Sequence, residues 1–122
     1  MIINWITIHV DNLAESKAFY GEFLGLKLQN EFSPTETRTL AFFAADNGMQ
    51  VELVYNEGEK CEKMPEGSVS IGLTVENYDD LLKRSGEKGI ITAGPLVLGG
   101  NMHCFFISDP MGMGIQIIRG CE

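Results

Sequence analysis

The chain has 122 residues, 44% hydrophobic and 21% charged, which is the composition of one globular domain and not of a disordered segment. Its 17 acidic and 9 basic residues give a formal charge of −8, and this excess argues against unassisted nucleic-acid binding, which depends on clustered Lys and Arg. No segment reaches the roughly 18 apolar residues of a membrane span, and no signal peptide precedes the first strand, so we expect a cytoplasmic protein without a membrane partner.

The first half of the sequence predicts a strand, a helix and three more strands. Short β-branched residues predict a strand over residues 2–10, and Asn12 followed three residues later by Glu15 indicates a helix N-terminus. Gly25 provides the left-handed residue that ends this helix. Turn-forming sequences then separate predicted strands over residues 27–32, 38–44 and 49–55. The first half therefore follows the pattern βαβββ.

The same order recurs in the second half. A strand over residues 68–75 precedes a second capping signal at Asn77 and Asp80, a helix ended by Gly89, and strands over residues 90–97, 102–108 and 114–119. Val10 corresponds to Val75 and Gly25 to Gly89, at offsets of 65 and 64 residues. We therefore predict one domain over residues 1–122, with module 1 at about 1–56, a linker at 57–67 and module 2 at about 68–122. Each module is too small to bury an adequate core alone, so the two should pack together.

Along the first and last predicted strands of each module, alternating side chains form an aliphatic face and a mostly polar face. The helices should cover the aliphatic face. The polar face is then either hydrated, as in many antiparallel sheets, or part of a shared binding site. The candidate binding residues on this polar face are Trp5, Thr7, His9 and Glu52 in module 1, and Ser70, Thr74 and Gln116 in module 2.

The cysteines do not suggest a disulfide framework. Cys61, Cys104 and Cys121 are odd in number, scattered along the chain and without metal-type spacing. We expect three reduced thiols.

Four segments carry a resemblance to a known family: IHVDNLAESKAFY at 8–20, FLGL at 23–26, VELVYN at 51–56 and SDPMG at 108–112. They resemble the vicinal oxygen chelate superfamily, which includes glyoxalase I, bleomycin-resistance proteins and extradiol dioxygenases. The resemblance implies an α+β fold in which two βαβββ modules form cupped mixed sheets with the helices on the convex side. It also implies a homodimer and, in the enzymes, a divalent metal held by the first and last strand of each module.

The positions that correspond to the metal ligands of the superfamily are Trp5, Glu52, Ser70 and Gln116. Among them only Glu52 is a good ligand, because an indole cannot bind a metal and neutral Ser70 and Gln116 displace water from a dication poorly. We therefore expect no metal cofactor and a small organic molecule bound directly in the cavity. The alternative is a lyase, isomerase or dioxygenase of glyoxalase type, with Zn, Ni, Fe or Mn held by a changed set such as His9, Glu52 and His103.

Several of these residues have two interpretations. Glu52 could be a general base that abstracts a proton next to a carbonyl, or a carboxylate that is hydrated or paired with Arg38. Trp5 is a platform for a flat or apolar ligand, or a plug in the space of the lost metal. His9 could bind a ligand carboxylate or lie at the surface. The orientation of His103 is open, because Gly99 and Gly100 can introduce a bulge.

Overall fold

A computed structural model describes residues 1–120 of the chain. The chain divides into two compact units, unit 1 (Met1–Glu62) and unit 2, which starts at Lys63. This division falls inside the segment that the sequence predicts to be the linker.

Unit 1 is a four-stranded sheet with a helical segment on one face. Its elements are β1 (Trp5–Val10), α1 (Leu13–Lys17), a π-helical segment (Ala18–Phe23), β2 (Lys27–Phe32), β3 (Arg38–Ala44) and β4 (Gln50–Asn56). The strand order is β1-β4-β3-β2, with β1 parallel to β4 and the other pairs antiparallel.

Unit 2 repeats this topology. Its elements are β5 (Ser70–Val75), α2 (Tyr78–Lys88), β6 (Ile91–Leu98), β7 (Met102–Ser108) and β8 (Gly114–Arg119). The strand order is β5-β8-β7-β6, and again the first and last strands are parallel. The predicted α+β class with two βαβββ modules is therefore confirmed.

The helix termini follow the sequence signals with two exceptions. The side chain of Asn12 accepts a hydrogen bond from the backbone N–H of Glu15 at 3.0 Å, and Gly25 and Gly89 adopt the left-handed conformation after the helices. The predicted side-chain cap at Asn77 is not formed, since the φ and ψ of that residue lie outside the extended region typical of an N-cap. The first helix also changes to π-helical geometry after Lys17, which the apolar spacing did not predict.

One face of each sheet is buried against its helix. In unit 1 this face contains Leu53 and Phe43, and a Cβ atom added to Gly21 of the π-helical segment would lie 3.1 Å from the Phe43 ring. In unit 2 it contains Ile117 and Phe105, and Tyr78 of α2 packs edge-on against Phe105 with ring centroids 5.3 Å apart. The opposite face of each sheet, called here its open face, carries the predicted site residues.

Two further expectations concern the cysteines and the membrane spans. Cys61 and Cys104 are free thiols, whereas Cys121 lies outside the described residues. Among the helices of residues 1–120, none combines the length and apolar character required to cross a membrane.

Candidate functional site

The open face of unit 1 brings together the four site residues predicted in that half. Trp5, Thr7 and His9 are exposed and alternate with the less exposed Ile6, Ile8 and Val10 along β1. The parallel register pairs Thr7 with Glu52 of β4, so their side chains project from the same face.

Glu52 is held in place by its neighbour on β1. The Thr7 hydroxyl donates a hydrogen bond to Glu52 Oε1 at 2.6 Å. The Arg38 guanidinium, the predicted alternative partner, instead donates through Nε to Asn56 Oδ1 at 2.8 Å. Since a carboxylate has about four acceptor positions, one donated hydrogen bond orients Glu52 and leaves most of its acceptor capacity available.

A row of three aromatic side chains lies beside Glu52. Phe42 of β3 is the cross-strand partner of Glu52. Its ring centroid is 5.3 Å from that of Trp5, in an edge-on arrangement, and 6.4 Å from that of Phe32, with nearly parallel planes. Trp5 is 47% exposed and Phe32 43% exposed. We call Trp5, Phe42 and Phe32 the aromatic row.

The aromatic row adds apolar area from β2 and β3 to a face whose polar character was predicted from β1 and β4 alone. Sequence reasoning missed Phe42 and Phe32, because β3 contains the adjacent pair Phe42 and Phe43, one of which must point to each face. Only the pairing of Phe42 with Glu52 shows which ring belongs to the open face. The sequence did contain a usable signal: the length of the turn between β3 and β4 sets which residue of β3 lies opposite Glu52, and that residue must share its face.

The two histidines have different positions. His9 follows Thr7 on the open face of unit 1, where its register partner is Val54. His103 is exposed and precedes Cys104 on β7, so it shares the parity of the buried, helix-facing Phe105. The register shifts of this sheet occur along β6, whereas β7 pairs with β8 without interruption. His103 therefore does not lie on the open face of unit 2.

The open face of unit 2 holds the remaining predicted residues. Ser70 and Thr74 are exposed on β5, and Gly72 between them is the register partner of Gln116 on β8. The Gln116 amide donates through Nε2 to Cys104 Sγ at 3.5 Å and to Met102 Sδ at 3.8 Å. Ser70, Thr74 and Gln116 thus share one face of their own sheet.

The two open faces have equivalent registers and different chemistry. Glu52 is paired with Thr7 and Phe42, and Gln116 in the same way with Gly72 and Phe106. Because Gly72 has no hydroxyl to offer, sulfur atoms orient the Gln116 side chain instead. Unit 1 therefore presents an oriented carboxylate and unit 2 a neutral amide.

The residues at the four family positions do not fit a divalent metal. Unit 1 supplies an indole and one carboxylate, and unit 2 supplies a hydroxyl and an amide whose nitrogen is directed to two sulfur atoms. Zinc and similar ions need three or four ligands of the imidazole, thiolate or carboxylate type. Across residues 1–120, no three His, Cys, Asp or Glu side chains form a group suited to a metal ion.

Comparison with models of known protein families identifies the family of this chain. The family model described as Glyoxalase/Bleomycin resistance protein/Dioxygenase superfamily matches residues 2–117. The chain therefore belongs to this superfamily, and the resemblance inferred from its segments is confirmed.

Several relatives and solved structures are similar over most of the chain. A protein of Vibrio cholerae described as a probable lactoylglutathione lyase is 34% identical over 122 residues, covering 92% of this chain and 86% of the relative. The crystal structure of an E144Q mutant of Zea mays glyoxalase I is similar with a TM-score of 0.83 and 26% identity, covering 98% of this chain and 46% of the maize chain, so this chain spans about half of that protein. The trypanothione-dependent glyoxalase I of Leishmania major gives a TM-score of 0.78 and 26% identity, with coverage of 98% and 86%.

Proposed function

We propose that this protein binds a small organic molecule through the open face of unit 1, without the metal centre of the glyoxalase enzymes. The observation that supports this proposal best is an oriented carboxylate, Glu52, directly beside an aromatic row whose outer rings, Trp5 and Phe32, are exposed. A ligand site of this kind combines apolar area with a few fixed polar groups. In this proposal Trp5 is a binding platform, and His9 and Thr7 line the same face.

The residues of unit 2, considered by themselves, are also poorly suited to a metal. Ser70, Thr74 and Gln116 offer neutral hydrogen-bonding groups, which suit an uncharged organic group better than a dication.

The first experiment measures metal content. We expect purified protein to carry less than about a tenth of an equivalent of Zn, Ni, Fe or Mn, because one carboxylate with neutral oxygens holds such ions weakly. Elemental analysis that finds close to one equivalent, lost in a Glu52→Gln variant, would contradict the proposal.

The second experiment looks for ligands directly. Saturation-transfer NMR with a fragment library should give hits that are lost in Trp5→Ala. Leu28→Ala is the matched control, because Leu28 is an exposed apolar residue of the same sheet whose partner is Phe43 of the opposite face. Hits retained in Trp5→Ala, or a library without hits, would leave Trp5 as a structural plug.

A metal-dependent activity of glyoxalase type is the alternative, and the 34% identity to a probable lactoylglutathione lyase favours it. It predicts formation of S-lactoylglutathione from methylglyoxal and glutathione when Zn, Ni, Fe or Mn is added. Turnover that depends on the metal and on Glu52 would establish this alternative. We expect none, since Glu52 is the one strong ligand among the four family positions and His103 does not lie on the open face of its own sheet.

We also propose a homodimer and a cytoplasmic location. Dimer formation is common in families of this resemblance, and the sheets of both units have strands at their edges that a second copy could cover. Free thiols at Cys61 and Cys104 suit a reducing compartment.

A further inference from the structure

We infer that the ligand of unit 1 is a planar aromatic cation, with its ring on the aromatic row and its positively charged group at Glu52. This inference rests on the proposed function, because it names the chemical class of the molecule bound at the same face.

The separation between the carboxylate and the aromatic row matches such a ligand. Glu52 and Phe42 are directly opposite on neighbouring strands, where Cβ atoms lie about 4.5–5.5 Å apart. Trp5 approaches Phe42 from the other side, edge-on. If the ring of a ligand covers Phe42, a substituent one bond beyond that ring can therefore reach the Glu52 carboxylate.

The charges on the open face favour a positive group at this position. Glu52 accepts one hydrogen bond from a neutral hydroxyl, so its negative charge is not compensated by that partner. Arg38 is four residues from Phe42 along β3, about 13 Å away at the usual rise of a strand, and its guanidinium is directed to Asn56. His9, two residues beyond Thr7, completes the ionisable groups of the β1 and β4 strands on this face. On the edge strand β2, the exposed Lys27 pairs with Ala44 and is one strand further from Glu52 than Phe42 is.

The aromatic row and the net charge of the protein both favour a cationic ligand as well. Aromatic faces attract ammonium and guanidinium groups by about 0.5–2 kcal/mol, more when water is excluded. A net charge of −8 also raises the local concentration of cations and lowers that of anions. Unit 2, with Gln116 at the position of Glu52, lacks the carboxylate that would give this preference.

Three probes that differ only in the group attached to one ring system test the inference. They are 2-naphthylmethylammonium, the neutral 2-naphthylmethanol and the anionic 2-naphthylacetate, each titrated by isothermal calorimetry. In wild-type protein the ammonium should bind about tenfold or more tightly than the alcohol, and the carboxylate should bind most weakly. Raising the NaCl concentration should weaken the ammonium selectively.

Two variants test whether the preference for the ammonium over the alcohol depends on Glu52. Glu52→Gln should reduce the ratio between ammonium and alcohol to within about twofold, and the Thr7 hydroxyl can still donate to the new amide oxygen, so the local fold is retained. Glu22→Gln is the matched control: it removes one negative charge from an exposed position in the π-helical segment and should leave the ratio unchanged. Circular dichroism and the melting temperature verify the fold of both.

The outcomes separate the inference from the proposed function. Equal affinity of wild-type protein for the ammonium and the alcohol overturns the charge assignment, while the proposed function stands. A preference that survives in Glu52→Gln also overturns it. If no probe binds at about 5 mM, a weak limit by affinity arithmetic, the inference is wrong, and the fragment library then decides whether the proposed function is wrong too.

Discussion

At the scale of single residues, the equivalent positions Glu52 and Gln116 are each held by a different donor or acceptor. A threonine hydroxyl holds the carboxylate, and two sulfur atoms accept from the amide. Charge-assisted hydrogen bonds are stronger than neutral ones, and bonds to sulfur are weaker still. The carboxylate of unit 1 is therefore the better oriented of the two groups.

Replacing Thr7 by Val tests this orientation. Val keeps the β-branched shape that suits a strand and removes the donor to Glu52. We expect the affinity for 2-naphthylmethylammonium to fall about three- to tenfold, as for one lost hydrogen bond of about 1 kcal/mol, with less than a twofold change for the alcohol. Thr74→Val, at an exposed position of β5, is the control. Unchanged ammonium affinity in Thr7→Val would mean that the hydroxyl does not prepare Glu52 for binding.

Tyr78 should make the stability of the fold sensitive to alkaline pH. Burial raises the pKa of its phenol above the ordinary value of 10.0, partly opposed by the Arg119 guanidinium over its ring. The folded state then holds the proton more tightly than the unfolded chain. The stabilisation is complete below pH 10 and is lost as pH rises through the raised pKa. Urea unfolding between about pH 9 and 11 should show a steeper loss for wild type than for Tyr78→Phe, and equal slopes would contradict this.

At the scale of the elements, the sequence predicted strand positions well and the faces of inner strands poorly. The strands over 27–32, 38–44, 102–108 and 114–119 have the predicted bounds, because turn residues mark their ends clearly. The face of Phe42 and the parity of His103 depend on pairing with a neighbouring strand, which a single strand does not contain. The π-helical segment was not predicted either, because apolar spacing alone does not distinguish a π-helical turn from an α-helical one.

Gly112 tests whether the segment at Met64 is held rigidly against the turn that precedes β8. Its φ is +84°, and an added Cβ would lie 2.7 Å from the carbonyl oxygen of Met64, which belongs to a segment bonded to Met111. Gly58 has a similar φ of +78° with nothing within 4 Å of an added Cβ. Both alanine variants should lose about 1 kcal/mol from the left-handed backbone. Gly112→Ala should lose at least about 1 kcal/mol more through the steric overlap. Equal losses in urea unfolding would show that the Met64 segment moves freely.

At the scale of the whole molecule, duplication made the fold predictable but not the ligand. Offsets of 64 and 65 residues identified both modules and the equivalence of Glu52 and Gln116 before any pairing was known. Chemistry has diverged at these equivalent positions, so the repeat predicts where contacts lie and not what they bind. The aromatic row illustrates this, since Phe106 repeats Phe42 whereas Ser70 replaces the indole of Trp5.

The strands at the sheet edges predict the oligomeric state. β2 and β6 each form the edge of a sheet, and near these edges Leu28, Phe32, Val97 and Leu98 are between 43% and 49% exposed. Apolar edge strands are normally paired or covered, because they otherwise promote aggregation. We expect sedimentation at micromolar concentration to give twice the chain mass of 13.5 kDa. Val97→Lys should weaken this dimer if β6 contributes to it, with Glu22→Lys as the control. A single species of 13.5 kDa would show that these edges remain solvated in a monomer.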